Sequence, residues 1–211
     1  MDIILYGSPS TAATIAHWLL IELELEHRLE LLDLRRREHK SPEYLRLNPQ
    51  GRVPTLVIDG QAMTEAAAIV LHLADLCPQA GLAPPPGTAE RAQYYRWAFF
   101  CSKTLQPAYR DWFYPHEPAG PGHEEAAMAQ AREEIEGAWQ IVADHLERQG
   151  PYLLGGRRCA VDFLLTILMR WSRNMPRPSD SWPVLREYVR RMKALPSFAE
   201  LYRREGITDW L

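Results

Sequence analysis

At 211 residues, 46% hydrophobic and 24% charged, the chain has the make-up of a globular protein with room for one large domain or two modest ones. Its net charge of -3 leaves no basic excess for nucleic acid, and no stretch nears the ~18 uninterrupted apolar residues of a membrane-spanning helix. Cys77, Cys101 and Cys159 are odd in number and far apart, and MDIILYGSP lacks the basic and apolar regions of a signal peptide, so reduced thiols in a cytoplasm are expected rather than disulfides or a metal site.

Asp2 to Tyr6 is an Ile/Leu-rich run ending at Gly7, as expected of a buried strand. Ser8-Pro9-Ser10-Thr11 supplies turn and N-cap residues, and Ala12 to Glu26 behind it is rich in helix formers. Leu29 to Leu34 alternates loosely and can pair parallel to the first strand through a βαβ crossover. Ser41-Pro42-Glu43 places a cap, a proline and an acid at the start of a short helix towards Leu47. After the turn Asn48-Pro49-Gln50-Gly51 comes a strand from Val53 to Ile58. Pro54 belongs at its very start, because a central strand needs the missing N–H, and a cis Val53–Pro54 bond is expected there. Asp59-Gly60 predicts a hairpin turn into Gln61–Met63, and Thr64 is expected to cap a helix to about Leu76, with Glu65 at its positive end.

The segment CPQAGLAPPPGT at 77–88 holds four prolines and two glycines and reads as a linker. It divides the chain into residues 1–77, an α/β domain with a mixed four-stranded sheet, and residues 89–211, an all-helical domain. In the latter, helices are predicted over Ala89 to about Tyr114, Glu124 to Gln149, Ala160 to Arg173, Pro183 to Ala194 and Pro196 to Arg204.

A strand, a hydroxyl-rich loop and a helix start form an anion site, through the first-turn N–H groups and the helix dipole. Ser8, Ser10 and Thr11 stand where a thioredoxin carries its C-x-x-C, so this loop cannot form a disulfide but can donate hydrogen bonds to a bound thiolate.

Three ordered segments then carry a resemblance: LYGSPST at 5–11, EHKSPEYLRLNPQGRVPTL at 38–56 and DGQAMTEAAAIVLHLAD at 59–75. Together they resemble the N-terminal domain of the cytosolic glutathione transferases. GPYLLGGRRCAVDFLL at 150–165 looks like that family's buried helix with its capping Asp162. The resemblance implies a thioredoxin-like N-terminal domain followed by an all-α domain, in a cytoplasmic homodimer that takes glutathione as co-substrate and needs no metal. It implies that the Val53 backbone, held by Pro54, pairs with the cysteinyl part of glutathione, and that Glu65 and the helix start at Ala66 receive the γ-glutamyl group. Ser8, His39, Lys40, Gln50 and Arg52 fall where the family contacts the tripeptide and its glycyl carboxylate.

Two departures stand out. Ala66 replaces the usual Ser, removing one side-chain hydrogen bond, and Cys159 replaces the Ser or Thr that opens the capping box, at a cost of up to ~1 kcal/mol. The activating group is expected to be Ser10 or, second, Thr11, with Tyr6 as a phenolic alternative. Ala12 stands where the cysteine-type subgroup has its cysteine, so that mechanism is closed. Among the aromatics of the first helix past the linker, Tyr109, Trp112, Phe113 and Tyr114 are the candidates for a pocket binding a small hydrophobic electrophile. The expected activity is conjugation of glutathione to such electrophiles, as in detoxification. The alternatives are a glutathione-dependent cis-alkene isomerase and a non-catalytic binding protein.

Overall fold

The computed structural model describes residues 1–210; Leu211, the last residue of the predicted 89–211 domain, lies outside them. Four strands, β1 (Ile3–Gly7), β2 (Arg28–Leu31), β3 (Thr55–Ile58) and β4 (Gln61–Thr64), form one sheet in the order β2-β1-β3-β4. β1 runs parallel to β2 and antiparallel to β3, and β3 is antiparallel to β4. The Asp59-Gly60 turn has φ of 48° and 82°, the left-handed pair that closes a two-residue hairpin.

Helices α1 (Ala13–Glu22), α2 (Pro42–Leu47) and α3 (Ala66–Leu76) complete this part. Buried Ile3, Leu5 and Leu56 of the sheet, with Ile15, Trp18 and Leu19 of α1 and Ile69, Val70 and Leu73 of α3, form its core. α1 stops four residues before its predicted end. Glu24 adopts φ 54°, and the Leu25 N–H bonds to the Leu20 carbonyl at 3.0 Å while the Glu24 N–H bonds to Ile21. This Schellman end usually announces itself with glycine, and here glutamate fills the left-handed position. β2 also ends early, because Asp33 Oδ1 accepts from the N–H groups of Arg35 and Arg36 and turns the chain. Ser41 caps α2 as expected, accepting from Tyr44 N. The cap expected at Thr64 is instead Glu65, at φ 69°, since Thr64 is spent as the last residue of β4.

The chain divides into two compact units, Met1–Leu82 with Lys193–Leu211, and Ala83–Met192. The first boundary falls within the predicted linker. The C-terminal helix α9 (Pro196–Glu205) departs from the expected 89–211 domain, because it packs on α1 in the first unit. Trp18 meets Phe198 edge-on at 5.2 Å and donates from Nε1 to Ser197 Oγ at 2.9 Å. An apolar face of Phe198, Leu201 and Tyr202 thereby finds its cover.

The second unit is helical: α4 (Ala89–Phe100), α5 (Gln106–Phe113), α6 (Glu124–Gln149), α7 (Ala160–Trp171) and α8 (Pro183–Lys193). The single helix predicted over 89–114 is broken by a π-helical turn at Cys101–Leu105, where the Gln106 N–H reaches Cys101. Pro107 has no N–H to continue the ordinary ladder, and the wider turn absorbs the loss. At the start of α7 the capping box forms despite Cys159. Its sulfur accepts from the backbone of Asp162, and the Asp162 carboxylate accepts from Cys159 N at 2.7 Å. No helix among the described residues is long and apolar enough to cross a membrane.

Candidate functional site

Strand register fixes where three loops emerge. Tyr6 lies opposite Thr55, and Thr55 lies opposite Thr64. The loop leaving β1 (Ser8–Thr11), the loop entering β3 (Gln50–Pro54) and the helix start after β4 (Glu65, Ala66) therefore share one end of the sheet. The first-unit residues expected to bind glutathione sit on these loops and on the segment beside them.

The β3 loop is held from below by two side chains that the motif reading passed over. Tyr44 of α2 donates from its hydroxyl to the Arg52 carbonyl at 2.6 Å and meets Thr55 Oγ1 at 2.7 Å. Asn48 donates from Nδ2 to the same carbonyl at 2.7 Å and accepts from Gln50 N at 3.1 Å. Both are buried, and burial pushes the Tyr44 phenol above its ordinary pKa, so it stays a donor. Val53–Pro54 is cis, and the ladder starts only at Thr55, which leaves Val53 ahead of the first paired residue.

Lys40 donates from Nζ to the Gln50 carbonyl at 3.0 Å, and Gln50 in turn donates from Nε2 to Glu65 Oε1 at 3.2 Å. A Cβ on Gly51, whose φ is 57°, would come within 2.8 Å of the His39 carbonyl and of Lys40, so glycine is required at this close approach. His39, Lys40, Gln50 and Glu65 are thus brought together, with Arg52 and Glu65 exposed and Ala66 buried.

The β1 loop differs from expectation. Thr11 donates from Oγ1 to the Ser8 carbonyl at 2.6 Å and accepts from Ala13 N at 3.2 Å, so its hydroxyl closes the turn. The N–H groups of Thr14 and Ile15 bond to Thr11 and Ala12 carbonyls. Ser10 sits exposed at φ 63°, and its N–H reaches Glu205 Oε2 at 3.3 Å. The expected cradle of first-turn N–H donors is therefore largely occupied from within, and the helix dipole remains.

Glu205 is the last residue of α9, and its side chain is only 3% exposed. Besides Ser10 it accepts from Thr14 Oγ1 at 2.8 Å, and its Oε1 lies 2.8 Å from His17 Nδ1. Nothing in the sequence could have paired residues 195 apart. Tyr6, the phenolic alternative, is half-buried with its ring against Tyr44, centroids 5.8 Å apart.

A cleft of about 780 Å³ in the first unit lies elsewhere, among Asp2, Leu20, Glu24, His27, Arg28 and Arg204. It is open and lined by charges of both signs, and it holds none of the site residues named above.

In the second unit Tyr109 is fully buried, accepts from Trp139 Nε1 at 3.1 Å and packs edge-on to Trp171. Burial raises its phenol well above the ordinary range. Its place is the helical core rather than an open wall. Phe113 and Tyr114, each 47% exposed, stay on the surface, and Trp112 borders a groove of about 420 Å³ with Ala129, Arg132 and Pro176.

Comparison with known proteins agrees with this architecture. Residues 9–76 match the family model of the glutathione S-transferase N-terminal domain. The chain is 30% identical to the glutathione S-transferase GST-4.5 of Xanthomonas campestris over 209 residues, covering 96% of this chain and 98% of that one. Among solved structures, a glutathione transferase from Methylococcus capsulatus is 31% identical with a TM-score of 0.85, covering 98% of this chain and all of that one. A homologue from Sulfitobacter, solved with bound glutathione, is 25% identical with a TM-score of 0.89, covering 98% and 99%. The fold is thus the thioredoxin-like domain plus helices of these proteins. The chain belongs to the glutathione transferase family.

Proposed function

We propose that this protein binds glutathione at the shared end of the sheet, lowers the pKa of its thiol and conjugates the thiolate to a hydrophobic electrophile. The observation that carries the reading is the convergence there of the Ser8–Thr11 loop, the cis Val53–Pro54 bond and the Glu65–Ala66 helix start. In this reading the Val53 backbone pairs with the cysteinyl unit, and Glu65 takes the γ-glutamyl ammonium. The N-terminus of α3 takes the γ-glutamyl carboxylate, and His39, Lys40, Gln50 and Arg52 face the glycyl end. Ala66 leaves a backbone donor where relatives add a hydroxyl, so binding is weakened rather than abolished.

Ser10 is the activating group of choice, because the Thr11 proton is already given to Ser8. A free thiol has a pKa of ~8.5. A hydrogen bond to a charged acceptor is worth ~1.5–3 kcal/mol, so one hydroxyl lowers that pKa by about one to two units. The pocket for the electrophile draws on Trp112, Phe113 and Tyr114, with Tyr109 supporting them from the core. The protein acts in this reading as a cytoplasmic homodimer, and exposed Phe99 and Tyr95, one turn apart on α4, are candidates for the contact between copies.

The test follows thiolate absorbance while glutathione is titrated into wild type, Ser10→Ala and Thr11→Ala. Loss of the thiolate signal in Ser10→Ala alone is expected; an unchanged bound-thiol pKa in both variants refutes the assignment. An isomerase would turn over without consuming glutathione, and a non-catalytic binder would leave the thiol protonated at neutral pH.

A further inference from the structure

The peptide joining Arg52 to Val53 has its two ends in different surroundings. It is trans and planar, so its carbonyl and its N–H point in opposite directions. The Arg52 carbonyl is held on the buried side, with both lone pairs taken, by Tyr44 Oη at 2.6 Å and Asn48 Nδ2 at 2.7 Å. The Val53 N–H at the other end makes no hydrogen bond among the described residues and precedes the first paired residue of β3. The two donors differ in origin. Asn48 belongs to the same turn as Arg52, whereas Tyr44 comes from α2 and is 3% exposed. The Tyr44 hydroxyl also lies 2.7 Å from Oγ1 of Thr55, which is fully buried. Its one proton goes to Arg52, so Thr55 donates to the Tyr44 oxygen. A hydroxyl that accepts one hydrogen bond donates a stronger one, and this chain ties the peptide to the first residue of the strand.

We infer that Tyr44, backed by Thr55, is a positioning residue for the thiol co-substrate. By pinning the Arg52 carbonyl inward it aims the Val53 N–H outward, at the carbonyl of the cysteinyl unit. This rests on the glutathione reading above and adds to it two side chains that act only through the backbone. The role belongs to the hydroxyl, since the Tyr44 ring packs against Tyr6 with or without it. A donor already fixed in direction loses little further freedom when the ligand docks, so the gain appears in affinity rather than in the chemical step.

NMR titration of the isotope-labelled full chain with two thiols decides the matter. One is glutathione; the other is γ-glutamylcysteamine, which lacks the cysteinyl carbonyl and everything beyond it. In wild type, glutathione should move the Val53 amide proton downfield, and γ-glutamylcysteamine should not. Tyr44→Phe, with its circular dichroism intact, should bind glutathione about three- to tenfold more weakly and with a smaller Val53 shift. Its affinity for γ-glutamylcysteamine should stay within about twofold of wild type, because that thiol offers Val53 no acceptor. Thr55→Val should weaken glutathione about two- to fourfold, and Thr55→Ser, which keeps the hydroxyl, should match wild type. Undiminished glutathione affinity in Tyr44→Phe, or equal losses for both thiols, overturns the inference and leaves the glutathione site standing. If Tyr44→Phe fails to fold, the Thr55 pair decides, and equal glutathione affinity in Thr55→Val and Thr55→Ser overturns it. If wild type binds neither thiol, the reading of the site itself falls.

Discussion

Each unit of the molecule buries one carboxylate that holds a helix start, and the two do so by opposite routes. Asp162 accepts from Cys159 N at 2.7 Å, Leu153 N at 3.1 Å and Tyr188 Oη at 2.8 Å, reaching back three residues to cap its own helix. Glu205 accepts from Ser10 N, Thr14 Oγ1 and His17, reaching across most of the sequence to a helix it does not belong to. One network is local and lies within the helical core; the other ties the C-terminal helix to the loop proposed to activate a thiol. The difference predicts that Asp162 matters for stability alone, and Glu205 for stability and binding together.

The largest effect is expected at Asp162. Asp162→Ala strands two buried backbone N–H groups and leaves the Tyr188 hydroxyl only the Asp162 carbonyl, at 3.2 Å, and should cost about 3–5 kcal/mol in urea unfolding. Asp162→Asn keeps the size but turns one acceptor into a donor, and should cost about half as much. Neither should shift the pKa of bound glutathione in molecules that remain folded. A shift would break the division between the two networks.

Glu205→Ala comes next, at about 2–3 kcal/mol, since it leaves Thr14 and His17 without their buried partner. It also frees the Ser10 N–H and loosens a residue held at φ 63°, so glutathione affinity should fall roughly three- to tenfold, ~0.7–1.4 kcal/mol. Glu205→Gln retains one acceptor oxygen and should recover part of both losses. If Glu205→Ala lowers stability but leaves glutathione affinity untouched, the carboxylate is only a clasp between α1 and α9.

The same contrast explains what could be read from the residues alone. Local signals did their work: Ser41 caps α2, Asp59-Gly60 turns the hairpin, and α6 spans its predicted range. The site loops were readable for that reason, since NPQGRVP and the helix start after Thr64 are short motifs. Three features were hidden. Glu24 ends α1 where glycine would have been the sign, Pro107 widens a helix instead of ending it, and α9 leaves its neighbours in sequence for α1. Glu205 is the functional cost of the last of these, because a buried contact between chain ends leaves no periodicity or motif. Tyr44 and Asn48 are intermediate; the turn was visible, but not which carbonyl they would hold.

A smaller effect follows from a histidine in each network. His17 meets Glu205 directly, whereas His145 reaches Asp162 through Leu153, whose carbonyl lies 2.9 Å from His145 Nε2. Burial holds the His145 imidazole below its ordinary pKa, against the pull of that carbonyl. The unfolded chain therefore takes up a proton near pH 6.5 that the folded unit resists, so this term destabilises as pH falls from 7 to 5. The slope is at most ~1.4 kcal/mol per pH unit for one group. His145→Gln, which keeps a donor for Leu153, should flatten that part of the stability profile measured by urea unfolding at each pH. An unaltered slope would place the acid sensitivity on His27 or His39, whose imidazoles are held down in the same direction.

The smallest effect is expected at Cys159, and it bears on how closely a local network is tuned. The thiol sulfur fills the acceptor role of the capping box, yet sulfur is a weak acceptor, and the usual residue there is a hydroxyl. Cys159→Ser exchanges it for a better one, and the gain is bounded above by ~1 kcal/mol. Against it stands the burial of the site, 3% exposed, where the smaller oxygen leaves a little unfilled volume. The net expectation is a stabilisation of about 0.5 kcal/mol, read as a shift of the urea midpoint at constant slope. A loss above about 1 kcal/mol would mean that the sulfur is there for its volume. The Asp162 network would then depend on packing around the cap more than on the acceptor within it.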